Sequence, residues 1–125
     1  MEEIDTFFFD SYAFYEIIEG NPNYKHYSKN IAIITTKLNL MELHYGLLLK
    51  YGKEKADKYY DQFAVFSVEI TDNIIKKSNE FRMFMKKRKL SYVDCIGYII
   101  AKLLNVRFLT GDKEFEDLEN VEYIK

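Results

Sequence analysis

Four carboxylates stand out by where they fall in the chain. Asp10 follows three phenylalanines, Phe7-Phe8-Phe9. Glu42 lies between Met41 and Leu43, Asp94 ends the run Ser91-Tyr92-Val93-Asp94, and Asp112 ends Leu109-Thr110-Gly111-Asp112. No lysine or arginine stands beside Asp10 or Glu42 as a sequence neighbour. If the four converge, carboxylates about 4 Å apart repel by roughly 4 kcal/mol per pair at an effective dielectric near 20. Such a cluster takes up protons or holds a cation, and all-oxygen ligands favour a hard ion, Mg²⁺ or Mn²⁺. Taken singly, three of the acids also have structural uses. Asp10 suits a strand end that caps the next helix, Asp112 suits a turn or cap after Gly111, and Ser91 with Asp94 matches a capping box. Glu42 resists such a reading, because a lone glutamate among Leu40, Met41 and Leu43 seldom lies next to core without a partner.

The elements that must position these acids follow from the apolar pattern. Short apolar runs at Ile4–Phe9, Ile31–Thr35, Ala64–Val68 and Arg107–Thr110 predict strands, with a weaker fifth at Glu122–Ile124. The first, second and fourth are near-continuous, as in parallel strands covered on both faces. Between them the period becomes helical. Helices are predicted at Ser11–Glu19, with Ser11 as N-cap and Gly20 at the end, and over a short polar stretch after Pro22, about Asn23–Lys29. The others are Lys37–Tyr51, Lys53–Phe63, about Thr71–Lys87, and Tyr92–Leu104. On Lys37–Tyr51 the apolar stripe is Leu40, Leu43, Leu47 and Tyr51, widened by Met41 and Leu48. Strands alternating with long crossovers predict an α/β protein, a three-layer α/β/α sandwich around a central, mainly parallel sheet of four to five strands. In such sheets ligands bind where strands end and helices begin, which is where three of the acids fall.

Composition narrows the classes. The chain has 125 residues, 48% hydrophobic and 30% charged, as expected of one folded domain, residues 1–125, and not of a disordered segment. Lys and Arg number 18 against 20 Asp and Glu, a net charge of −2, which argues against nucleic-acid binding by bulk positive charge. One cysteine, Cys95, allows no internal disulfide, and the opening Met1-Glu2-Glu3 is acidic where a signal peptide would be basic. No apolar run approaches the ~20 residues of a membrane span. A cytoplasmic protein with no membrane partner is expected.

The strand-Asp10-Ser11 junction, the mid-helix Glu42, the Ser91-Tyr92-Val93-Asp94 helix start and the run Leu109-Thr110-Gly111-Asp112-Lys113-Glu114-Phe115 together resemble the PIN-domain nucleases, and among them the small VapC-type toxins. Order and spacing match from Asp10 to Phe115. The resemblance implies a metal-dependent ribonuclease, with Asp10, Glu42, Asp94 and Asp112 as both metal-binding and catalytic residues. It implies Ser11 and Thr110 as supporting side chains and Phe115 as a structural aromatic. It further implies RNA as substrate, an antitoxin protein as partner, and a homodimer. An RNA-processing nuclease without antitoxin and a catalytically silent binding module on the same fold are the alternatives.

Other residues divide between structure and function. Lys86-Lys87-Arg88-Lys89 is the strongest cationic feature, either a solvated helix end or, with Lys113, a guide for an RNA backbone. Cys95 suits packing, since the adjacent Asp94 raises a thiol's pKa. His26 and His44 have no zinc-like spacing and suit the surface or its boundary. Tyr12, Phe14, Tyr15, Tyr24 and Tyr27 suit core and boundary, with part of the set able to form a groove for a partner. A phospho-receiver lacks its aspartate, because the third apolar run reads Phe66-Ser67-Val68-Glu69. A haloacid-dehalogenase-type phosphatase is opposed by Tyr12, where a second aspartate is required.

Overall fold

The structure is a computed structural model describing residues 4–125; the acidic opening, Met1-Glu2-Glu3, lies outside them. Its elements in chain order are β1 (Thr6–Phe9), α1 (Ser11–Ile18), a 3₁₀ turn (Pro22–Tyr27), β2 (Ala32–Ile34), α2 (Lys37–Tyr51) and α3 (Lys53–Ala64). Then follow α4 (Asp72–Phe84), α5 (Tyr92–Leu103), β3 (Arg107–Thr110), a second 3₁₀ turn (Lys113–Phe115) and β4 (Val121–Tyr123). The four strands form one parallel sheet in the order β2-β1-β3-β4.

Burial on both faces explains the continuous apolar runs. Phe7 and Phe9 point to one face, where Phe14, Leu40, Leu47, Phe63 and Leu109 pack from α1, α2, α3 and β3. Phe8 points to the other, against Cys95, Ile96, Ile100, Phe108 and Phe115. Side chains alternate across a strand, so three adjacent phenylalanines supply two cores. Fully burying such a side chain is worth about 1.5–3 kcal/mol. The expected three-layer sandwich is therefore present, with α1–α3 on one face and α4–α5 on the other.

Two close approaches set the geometry of the functional end. A Cβ on Gly97 would lie 2.7 Å from the Phe8 ring. Glycine there lets α5 settle onto the sheet, and Asp94, one turn earlier on the same helical face, comes with it. A Cβ on Gly111 would lie 2.2 Å from the Tyr12 ring and 2.6 Å from the Ile124 carbonyl, so the turn after β3 is clamped between α1 and the C-terminal segment.

Three expectations need correction. Ala64–Val68 is not a strand: Ala64 closes α3, Phe66 and Ser67 turn back onto Phe63 and Ala64, and one parallel bridge joins Ser67 to Thr35. Phe63 completes the buried face of α3, while Val65 is 78% exposed, so the apolar run spans two different environments. Ser11 does not cap α1; Asp10 does, its side chain accepting from the Ala13 amide at 2.8 Å. Met41 and Glu42 do not lie against core. The buried face of α2 is Asn39, Leu40, Leu43 and Leu47, which leaves Met41 and Glu42 exposed, along with Leu48 and Tyr51 of the expected apolar stripe. Among the described residues no helix is long and apolar enough to cross a membrane.

Candidate active site

Strand order sets the place. The chain runs from β1 outward to β2, then returns past β1 to β3 on its other side. The connections at the carboxyl ends of β1 and β3 therefore diverge, and the crevice left between them is the usual ligand site of an open α/β sheet. Asp10 leaves β1 there and Asp112 leaves β3. Asp94 enters from the first turn of α5, and Glu42 from the exposed side of α2.

All four acids, from four separate elements, line one pocket of about 680 Å³, together with Ser11, Tyr12, Tyr15, Glu16, Leu43, Gly111 and Lys113. Each acid accepts at least one hydrogen bond from the protein. Asp10 Oδ1 accepts from the Ala13 amide, Asp94 Oδ2 from the Ser91 amide at 3.1 Å, and Asp112 Oδ1 from the Glu114 amide at 3.0 Å. Glu42 Oε1 accepts from the Ser11 hydroxyl at 2.7 Å. Capping thus does not take Asp10, Asp94 or Asp112 out of the pocket: all three cap a helix or turn and line it. Among the described residues, none of the ion pairs involves any of the four.

The electrostatics follow. Asp10 is 4% exposed, and burial pushes its carboxyl up from 3.8 to about 7, with Asp94 and Asp112 adding repulsion against hydrogen bonds from Thr110 and Ala13. Burial also raises Asp94, reinforced by Asp112 and Glu42 and opposed by its bonds with Ser91. A set of oxygens that strains against its own charge suits a hard divalent ion. Among the described residues, however, no three acidic, histidine or cysteine side chains stand close enough to form a ready-made cage. The donor set is all oxygen, which is the chemistry that suits a hard ion such as Mg²⁺ or Mn²⁺, with water completing the shell.

Supporting residues divide clearly. Ser11 donates to Glu42 and lies 3.0 Å from the Asn39 carbonyl, and Thr110, fully buried, accepts from the Asp112 amide at 3.0 Å. Lys113 reaches the pocket. Of the basic run, Arg88 is engaged elsewhere, bidentate to Asp117 at 2.7 and 2.8 Å and donating to the Glu114 carbonyl at 2.6 Å. Lys86, Lys87 and Lys89 are exposed and do not line the pocket. Cys95 is buried, its thiol pushed up to about 11, which suits packing and not nucleophilic attack. His44 sits at the boundary on Asp57, 2.8 Å away, and His26 lies edge-on to Tyr27. Tyr24 and Phe14 are core, whereas Tyr12 and Tyr15 are half-buried and wall the pocket. The sequence argument missed Glu16 and Asn39. Glu16 had a signal, lying four residues after Tyr12 on the same helical face, while Asn39 acts through its main-chain carbonyl and had none.

Comparison with solved structures places this arrangement among known folds. The Mycobacterium tuberculosis toxin VapC20, described as cleaving the sarcin-ricin loop, superposes with a TM-score of 0.77 at 16% identity, covering 95% of this chain and 99% of that one. VapBC2 from Rickettsia felis, bound to a promoter DNA fragment, gives 0.72 at 19% identity, with 96% and 99% covered. A toxin–antitoxin complex from Klebsiella pneumoniae gives 0.72 at 19% identity, with 92% and 94% covered. No curated protein matches by sequence. The sequence profile of the PIN domain matches residues 7–121, a span holding all four acids and every strand except Thr6 of β1 and the last two residues of β4. With the fold, the crevice and the profile in agreement, the chain belongs to the PIN domain family.

Proposed function

We propose that this protein is a divalent-metal-dependent endoribonuclease that hydrolyses RNA phosphodiester bonds in the cytoplasm, acting as the toxin of a toxin–antitoxin pair and as a homodimer. One observation carries the catalytic part. Four carboxylates from four elements face one pocket, each oriented by a protein donor and none in an ion pair among the described residues. Antitoxin pairing rests on the fold likeness to chains described as members of toxin–antitoxin complexes.

In this reading Asp10, Glu42, Asp94 and Asp112 hold Mg²⁺ or Mn²⁺. When bound, the ion supplies Lewis-acid charge at the phosphodiester and makes water acidic enough to attack near neutral pH. The chain supplies the rest. Ser11 keeps Glu42 turned into the pocket, and Thr110 holds the backbone of Asp112. Lys113 draws a phosphate towards the acids. Tyr12, Tyr15 and Leu43 supply the apolar side of the pocket. Burial pushes the Asp10 carboxyl up to about 7, so a cation beside it would favour its ionised form.

The test is a thermal unfolding titration with Mn²⁺ and with Mg²⁺. An ion at a hundred times its Kd stabilises the wild type by about 2.7 kcal/mol, and Asp94→Asn loses most of that gain. Equal stabilisation of both proteins refutes the shared site. Cleavage of structured RNA should stop with chelator and with Asp10→Asn; cleavage insensitive to both removes the mechanism.

A further inference from the structure

The end of α4 is built against the usual rule for a surface. Phe81 stacks on Tyr98 at 4.8 Å and Met85 packs on the same core, so that helical face is spent inward. Met83 and Phe84 point away from it and stand 69% and 85% exposed. Between Glu80 and Asp94 the chain then carries five cations and no acid: Arg82, Lys86, Lys87, Arg88 and Lys89. Lys86, Lys87 and Lys89 are exposed and join none of the ion pairs among the described residues. A concavity of about 220 Å³ lies between Arg82, Met83, Lys86 and Arg88, with no carboxylate in its lining.

This cationic, aromatic patch adjoins the acidic pocket. The Arg82 guanidinium lies 4.1 Å over the Tyr92 ring and donates to the Leu90 carbonyl at 3.2 Å, so the end of α4 sits beside the start of α5, two residues before Asp94. Arg88 ties the linker to the Glu114 carbonyl, next to Lys113 at the pocket. Tyr92, 59% exposed, offers a second ring.

We propose that the Met83–Lys89 segment is the landing surface for single-stranded RNA, with Phe84 and Tyr92 stacking on bases and Lys86, Lys87 and Lys89 neutralising phosphates on the strand that leads to the acids. This rests on the ribonuclease reading of the pocket and adds the surface by which the strand reaches it. An exposed ring followed within five residues by three exposed lysines outside the ion pairs of the described residues matches an unstacked base flanked by phosphates, and a duplex, whose bases are already stacked, does not offer the ring a partner. A second copy of this chain suits the patch less well, because self-association sets Lys86, Lys87 and Lys89 near like charges.

The experiment measures binding of a labelled single-stranded RNA 12-mer and its duplex by fluorescence anisotropy, with the full chain in chelator so that cleavage does not intervene. Phe84→Ala should weaken single-strand binding by about five- to a hundredfold, Phe84→Leu likewise, and Phe84→Tyr little. Replacing the three lysines by glutamine should flatten the salt dependence by about 2 in log–log slope. Unchanged thermal unfolding shows that the exposed substitutions spare the fold. Unaltered binding by Phe84→Ala overturns the proposal, as does preference for duplex. So does a wild-type dimer that dissociates on Phe84→Ala with RNA affinity intact. The pocket is judged separately: chelator-sensitive cleavage with a neutral Phe84→Ala sinks only the landing surface, whereas Phe84-dependent binding without cleavage supports it and sinks the nuclease reading.

Discussion

The buried carboxyl of Asp10 makes the metal-free protein's stability depend on pH in an unusual direction. Its carboxyl goes from an ordinary 3.8 to about 7 on folding, driven by burial. The folded state binds this proton more tightly than the unfolded chain does. Asp10 therefore contributes fully below about pH 4, and that contribution is lost as pH rises through about 7. The difference between 3.8 and about 7 corresponds to about 4 kcal/mol at pH 8. Asp10→Asn removes the ionisation and retains an oxygen able to accept from the Ala13 amide as N-cap. In chelator, the variant should gain on the wild type steadily from pH 4.5 to pH 8, by up to about 4 kcal/mol. At about 3 °C per kcal/mol for a domain of this size, that is about 12 °C in Tm. Saturating Mn²⁺ at pH 8 should restore the wild type and leave the variant unmoved. Urea denaturation at fixed ionic strength measures both. A stability difference that stays flat with pH refutes the argument, because it would mean the Asp10 carboxylate pays no desolvation penalty in the fold.

Two further substitutions probe the frame around the acids. Gly111→Ala places a Cβ 2.2 Å from the Tyr12 ring and 2.6 Å from the Ile124 carbonyl, and should cost about 1–3 kcal/mol of stability with weaker Mn²⁺ binding. Thermal unfolding with and without the ion reads both, and a neutral variant means the turn after β3 is not clamped. Ser11→Ala removes the bonds to Glu42 and Asn39 and should lower Mn²⁺ affinity about ten- to a hundredfold for about 1 kcal/mol of stability. Undiminished affinity by calorimetric titration counts against Glu42 as a ligand.

The elements were legible where one physical cause acted along a whole segment. Phe7-Phe8-Phe9 marks a strand buried on both faces, and Lys37–Tyr51 keeps its helical period to Gly52, so both lie where the pattern puts them. Ala64–Val68 was misread because its apolar residues meet different surroundings: Ala64 finishes α3, Val65 faces solvent, and Phe66 and Val68 pack on opposite cores. Asp10 and Ser11 both read as caps of α1, because Ser and Asp serve equally; in the fold Asp10 takes the cap and Ser11 reaches Glu42, 31 residues away.

The chain's local chemistry alone determined an α/β alternation and three carboxylates at element ends, because strand burial, helical period and capping depend on near neighbours. Which oxygens face one another depends on the β2-β1-β3-β4 order and on Gly97 and Gly111 bringing α5 and the last turn close to the sheet. That same packing turned Arg88 onto Asp117 and left Phe84 bare beside lysines. Contacts between residues dozens of positions apart are set by how layers close, and no local pattern encodes them.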